Sequence, residues 1–134
     1  MAHDELKLLK VLLIDDEWFI RSTIRQVMSQ IGIANVYEAD SAADGMKETL
    51  RVLPSLVFCD IHMPGEDGLF YVNSLRKVPI SGVAAIPVVM LTSDSTKDSV
   101  LMAKDLKVDG YLVKPVSLAT LKKAIERALK ITLP

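Results

Sequence analysis

The chain is poor in cysteine, in histidine, in aromatic residues and in any excess of one charge. Its single cysteine, Cys59, has no partner among the 134 residues, so no internal disulfide can form. A disulfide-free, cysteine-poor chain suits a reducing compartment. Only two histidines are present, His3 and His62, with no metal-ligand spacing around them, which argues against a zinc site. Seventeen acidic and 16 basic residues leave a net charge of −1, whereas a nucleic-acid-binding domain usually carries a basic excess. No segment approaches the roughly 18 consecutive apolar residues that a membrane helix needs. The first residues, Met1 to Lys7, carry two acids and no long apolar run, so they are not a signal peptide. The expectation is a soluble, cytoplasmic chain that engages neither nucleic acid nor membrane.

What is present is an ordinary globular balance, half apolar and a quarter charged, in a length that suggests one domain over residues 1–134. Short apolar runs punctuate it: Val11-Leu12-Leu13-Ile14, Val36-Tyr37, Leu56-Val57-Phe58-Cys59, Val88-Val89-Met90-Leu91 and Tyr111-Leu112-Val113. Runs of this length without alternation suit strands covered on both faces. The second is the shortest and lies between Asn35 and Glu38, as an edge strand should.

Helical stripes lie between the runs. Ile20, Ile24, Val27 and Ile31 make the first, and Ala42, Ala43, Met46 and Leu50, after a cap-like Ser41 and Asp44, the second. Leu69, Val72 and Leu75 make the third. Val100, Ala103 and Leu106, after Ser95 and Asp98, make the fourth. Leu118, Leu121, Ile125 and Leu129, opened by Ser117, make the fifth. Residues 78–86, with Pro79 and Gly82, read as a loop. Five strands alternating with five helices predict an α/β fold, a five-stranded parallel sheet with helices on both faces.

In such sheets, sites form beyond the carboxyl ends of the strands. After the first strand stand Asp15, Asp16 and Glu17; after the third, Asp60, Ile61 and His62; after the fourth, Thr92, Ser93 and Asp94; after the fifth, Lys114 and Pro115. Carboxylates, a hydroxyl and an ammonium thus meet on one edge. Packed carboxylates repel, so one stays protonated or a cation enters. Magnesium suits such a place, because it takes oxygen ligands and needs only one or two carboxylates beside a substrate phosphate. An aspartate can also attack phosphorus and become an aspartyl-phosphate, with metal and lysine stabilising the charge. Taken singly, each residue has a plainer reading. Asp15 or Asp16 caps a helix, Asp60 opens a turn before Met63-Pro64-Gly65, Thr92 and Ser93 are turn residues, and Lys114 is a solvated charge. On four strand ends of one sheet the plainer readings must all hold together, and the joint functional reading is preferred.

Cys59 neighbours Asp60 on a buried strand and is expected to pack as a small hydrophobe. Trp18 and Phe19 could line the site or simply pack at its rim. Lys122, Lys123, Arg127 and Lys130 on the last helix read as a solvated face or, more sharply, as a docking surface for an acidic partner.

These motifs are Leu13-Ile14-Asp15-Asp16, Cys59 to Gly65 with Asp67-Gly68, Leu91-Thr92-Ser93 and Gly110 to Pro115. With them the chain resembles, from Lys10 to Leu129, the receiver domain of bacterial two-component response regulators in its single-domain, chemotaxis-regulator-like form. The resemblance implies a flavodoxin-like strand order 2-1-3-4-5. It implies Asp60 as phosphoacceptor, and Asp15, Asp16, Asp60 and the backbone carbonyl of His62 as ligands of Mg2+, with Mn2+ as an alternative. Lys114 would pair with Asp60 and then with phosphate. Thr92 would be the switch hydroxyl and Tyr111 the aromatic that turns inward after it. His62 and Asp94 would tune the lifetime of the phosphate. The Lys114-Pro115 bond would be cis.

The resemblance further implies a sensor histidine kinase or histidine phosphotransfer protein as donor. It implies a downstream protein that reads the surface of the fourth helix, fifth strand and fifth helix, and it leaves open a dimer formed on phosphorylation. The protein would be a signalling receiver rather than a turnover enzyme, phosphorylating itself and slowly removing the group. Met1 reads as a native start, so a stand-alone receiver is expected over a fragment of a longer regulator with an output domain. A flavin carrier would meet Asp15-Asp16-Glu17 where its phosphate should bind. An aspartyl phosphatase of the dehalogenase type would want an acid at His62. A docking module that is never phosphorylated would not need the full acid, hydroxyl and lysine set.

Overall fold

The computed structural model describes residues 2–93 and 107–134. Strands β1 (Lys10–Ile14), β2 (Asn35–Ala39), β3 (Leu56–Asp60), β4 (Val88–Thr92) and β5 (Gly110–Val113) form one sheet, all neighbours parallel, in the order β2-β1-β3-β4-β5. Around it lie α1 (His3–Leu6), α2 (Trp18–Ile31), α3 (Ala42–Val52), α4 (Gly68–Arg76), α5 (Ser81–Ala84) and, last in the chain, α6 (Leu118–Leu129).

Because side chains alternate across a strand, each apolar run feeds two cores. Val11, Leu13, Leu56, Phe58, Val89 and Leu91 face one side and meet Ile24, Met28 and Ile31 of α2 and Leu121 and Ile125 of α6. Leu12, Ile14, Val57, Cys59, Val88 and Met90 face the other and meet Tyr71, Val72 and Leu75 of α4 with Ala42 of α3. Burial on both faces is why β1, β3 and β4 read as unbroken apolar runs.

Local signals set the element ends. Ser41 Oγ accepts the Asp44 N–H, Asp67 Oδ1 the Phe70 N–H, and Ser117 Oγ the Thr120 N–H in a reciprocal capping box. Helix α2 stops at Gly32, whose φ of 107° returns its N–H to Met28 and Ser29.

The structure corrects several expectations. Residues 78–86 are not simply a loop. Ile80 O accepts the N–H groups of Val83 and Ala84, making the single turn α5, and Val83 and Ile86 seal the second core. One isolated turn leaves no periodic signature. Helix α1 is a further single turn that no stripe in the sequence announces. Its Leu6 is fully buried in the first core, and Asn35 Nδ2 donates to Lys7 O at 2.6 Å. On α3, Ala43 and Leu50 are exposed, and the inner face is Ala42, Gly45, Thr49 and Val52. Thr49 is tolerated there because its hydroxyl donates to Gly45 O at 2.7 Å and lies 2.7 Å from the Tyr71 hydroxyl. Strand β5 is the second edge, and Tyr111 and Val113 are exposed rather than covered. The helical stripe at Val100, Ala103 and Leu106, with Ser95 and Asp98, falls outside the described residues.

Gly68, where α4 begins, lies against the end of β3. Its N–H donates to Ile61 O at 2.9 Å, and a Cβ built there would stand on the Asp60 carbonyl, which is backbone and has no freedom to give way. Gly82, in α5, has open space at the same point. Gly68→Ala should therefore lose about 1–3 kcal/mol, the range for overpacked positions, and Gly82→Ala should be near neutral. Urea unfolding midpoints of the two variants check this, and equal midpoints would refute the close approach.

Candidate functional site

The sheet runs outward in both directions from the β1–β3 boundary, the place where a doubly wound sheet opens a crevice at its carboxyl edge. Four strand ends deliver side chains there. Asp15 follows β1 and is 1% exposed, Asp60 ends β3 and is 3% exposed, Thr92 ends β4 and is 1% exposed, and Lys114 follows β5. Asp16 and Glu17 lie beside them, exposed.

Backbone pairing continues past the strands and fixes these residues. The Asp15 N–H donates to Ala39 O at 3.1 Å, the Ile61 N–H to Leu91 O at 2.9 Å, and the Lys114 N–H to Thr92 O at 2.7 Å. Glu17 closes a tight turn by donating its N–H to Asp15 Oδ1 at 2.9 Å. The Lys114-Pro115 bond is cis.

Lys114 Nζ then sits 2.8 Å from Asp15 Oδ2, 3.3 Å from Asp60 Oδ2 and 3.7 Å from Glu17 Oε1. One ammonium thus serves three carboxylates. Burial pushes the Asp60 carboxyl up to about 6, and the Asp15 charge adds to that push, with Lys114 opposing both. For Lys114, burial alone would lower its pKa, but the contact with Asp15 and the charges of Asp60 and Asp15 together raise it. It therefore stays an ammonium at neutral pH.

A divalent cation fits this donor set. Ligand oxygens of Asp15, Asp16, Glu17 and Asp60 can lie within 4.8 Å of one another. Asp15 Oδ2 is buried and, although ion-paired to Lys114, accepts no aligned hydrogen bond. All the donors are hard oxygens, the preference of magnesium and manganese. The negative charge exceeds what one lysine neutralises.

The structure brings Asp15, Asp16, Asp60 and Lys114 together, with Thr92 one strand over. The His62 side chain is exposed, and its N–H approaches Asp60 Oδ1 at 3.4 Å. Tyr111 is 47% exposed. It lines a groove of about 480 Å³ between β5 and α6 with Lys123, Ala124 and Arg127. Asp94 lies outside the described residues. Trp18 and Phe19 are both exposed, their rings edge to face at 6.5 Å. Burial pushes the Cys59 thiol well up, so it is an inert core group. Two residues join the site beyond the expected ligands and switch groups. Glu17 joins the acid cluster, visible in sequence as the third of an acidic run. Arg21 reaches back to Asp15, and no local signal marks it.

Among the described residues no helix is long and apolar enough to cross a membrane. The sequence matches the family model of the response regulator receiver domain over residues 11–126. It is 27% identical over 121 residues to chemotaxis protein CheY-3 of Vibrio cholerae, covering 90% of this chain and 92% of that one. It is 30% identical over 120 residues to KdpE, the KDP operon transcriptional regulatory protein of Escherichia coli, covering 90% of this chain and 51% of that one. The solved structure of Vibrio cholerae chemotaxis protein CheY4 matches with a TM-score of 0.82 at 26% identity, over 90% of this chain and 98% of that one.

The raised Asp60 pKa has a stability consequence. The folded state holds the proton to about pH 6, whereas an ordinary aspartyl releases it near 3.8, so this group's contribution to stability falls as pH rises between those values. At about 1.4 kcal/mol per unit, and discounted for solvent screening, the cost at pH 7 is roughly 1–2 kcal/mol. Asp60→Asn should therefore be more stable than wild type at pH 7 in metal-free buffer and show no such gain at pH 4. Urea titrations at both pH values test this, and a destabilised variant at pH 7 would contradict it.

Proposed function

The chain belongs to the response regulator receiver family of two-component signalling, and on that premise we propose that it is a switch that accepts a phosphoryl group on Asp60. The observation that carries this reading is the Lys114 ammonium, its side chain 9% exposed, bridging Asp15 and Asp60 at 2.8 and 3.3 Å. It holds the cluster together at rest and is already within reach of an incoming anion.

The donor is a phosphohistidine on a sensor kinase or a histidine phosphotransfer protein. An Asp60 carboxylate oxygen attacks phosphorus, the P–N bond breaks, and the leaving imidazole takes a proton from water. At neutral pH the Asp60 carboxyl is mostly ionised yet more basic than an ordinary carboxylate, which favours attack. Asp15, Asp16 and Asp60, with the His62 carbonyl, would hold Mg2+, which when bound offsets the charge of the transferring oxygens. Lys114 moves its contact from carboxylate to phosphoryl oxygen.

The Thr92 hydroxyl then donates to the phosphoryl group, and the Tyr111 ring turns from the surface into the space behind it. The β5–α6 face, read by a downstream protein, changes with them. Covalent phosphate shifts this equilibrium only by its unequal contacts with the two states, and Thr92 and Lys114 supply those contacts. His62 and Asp94 set how readily water reaches the product. One receiver domain spanning residues 1–134 is supported by Leu6 and Leu133, which are buried in the same apolar cluster, and its place in two-component signalling suits the cytoplasm.

Two outcomes are expected. Incubated with acetyl phosphate, the wild type should gain one phosphoryl group by intact mass only when magnesium is present, and Asp60→Asn should gain none. An adduct of equal yield on Asp60→Asn would end the assignment. Thr92→Ala should still take the phosphoryl group but leave the NMR signals of the Tyr111 ring where they are in the free protein. If those signals move as in wild type, Thr92 is not the link.

A further inference from the structure

We propose that Arg21, clamped by Glu38, is a positioning residue for Asp15 and sets how tightly the acid cluster binds a divalent cation. The inference rests on the reading of Asp15 as a cation ligand.

Asp15 is the first residue beyond β1. Both of its backbone groups are held, one directly and one through Arg21, by the last two residues of edge strand β2. The N–H donates directly to Ala39 O at 3.1 Å. The carbonyl accepts from Arg21 Nη1 at 2.5 Å, and Arg21 Nε donates to Glu38 Oε1 at 2.9 Å. The other oxygen of Glu38 accepts from Arg25 at 2.7 and 3.1 Å, and Arg25 also donates to Val36 O at 2.9 Å. Glu38, Ala39, Asp15 and Arg21 therefore form a closed ring of contacts around one peptide. The Asp15 carboxylate extends from that peptide and is itself fixed by Glu17 N–H and Lys114.

The two arginines differ in what they touch. The Arg21 side chain is 16% exposed and ends on Asp15, whereas that of Arg25 is 43% exposed and ends on β2 alone. A sheltered charge-assisted bond is the stronger one, and the planar guanidinium can serve the carbonyl and the carboxylate in two fixed directions at once. Groups that orient a metal ligand in this way typically alter affinity by tenfold or more when removed. Charge alone predicts the reverse sign, since deleting a cation near an acid cluster should tighten the binding of another cation. The direction of the change therefore separates positioning from electrostatics.

The test is magnesium binding by titration calorimetry on the full chain, with Arg21→Met, Arg21→Lys and Arg25→Met beside wild type. Arg21→Met should weaken magnesium binding about tenfold, while its rate with acetyl phosphate returns to the wild-type range at saturating magnesium. Arg25→Met should lose stability but bind magnesium as wild type does. Equal or tighter binding by Arg21→Met, or equal weakening in Arg25→Met, would overturn the proposal and leave the reading of the acid cluster intact. If Arg21→Met fails to unfold cooperatively, Arg21→Lys decides: it keeps the charge and loses the two fixed directions of the guanidinium, so weakened binding supports the clamp, and unchanged binding refutes it. A wild type that binds no magnesium would sink the metal reading and this inference together.

Discussion

Two buried carboxylates share one ammonium. Asp15 and Asp60 come from neighbouring strands, and their charges would repel at short range without Lys114 between them. The arrangement constrains the rest of the fold. Lys114 belongs to the far side of the sheet, beyond β4, and must reach across that strand's end to meet the acids. The bond from its N–H to Thr92 O anchors the reach. The three charged positions meet only if β1, β3, β4 and β5 end together at the carboxyl edge.

This cluster works against stability, and the layers beneath it compensate. Directly under the acids lie Leu13, Ile14, Phe58, Cys59, Met90 and Leu91, all at most 1% exposed and shared between two cores. Close packing on both faces leaves the strand ends little freedom to splay and relieve the repulsion. Strain at the edge is thus stored as charge rather than released as motion. A cation or a phosphoryl group acts on that stored imbalance.

The inner strands and the acids were legible because each gave a signal confined to its own segment. Unbroken apolar runs marked β1, β3 and β4, and the residues just after them marked the crevice. Features that depend on partners far along the chain were not legible. The inner face of α3 includes Gly45 and Thr49, which hydropathy does not count, because Gly45 packs against Ile14 and Thr49 meets Tyr71. The solvent-facing side of β5 followed from its place at an edge. Helices α1 and α5 are single turns, held by Leu6, Val83 and Ile86 entering cores built elsewhere. Arg21 has the same character: its role comes from Glu38, 17 residues away, and from the peptide of Asp15.

The Thr49–Tyr71 pair has a consequence for how this sequence can change. Thr49 donates to Gly45 O, so the remaining hydrogen of the pair is that of Tyr71. Losing the tyrosine hydroxyl first leaves Thr49 with its donor still satisfied. Losing the threonine hydroxyl first strands a buried phenol with nothing to receive its proton, the costlier error. An apolar replacement of both positions is thus open to a drifting lineage in one order and nearly closed in the other. The two helices carry a one-way step in sequence space, set by which oxygen already had a partner.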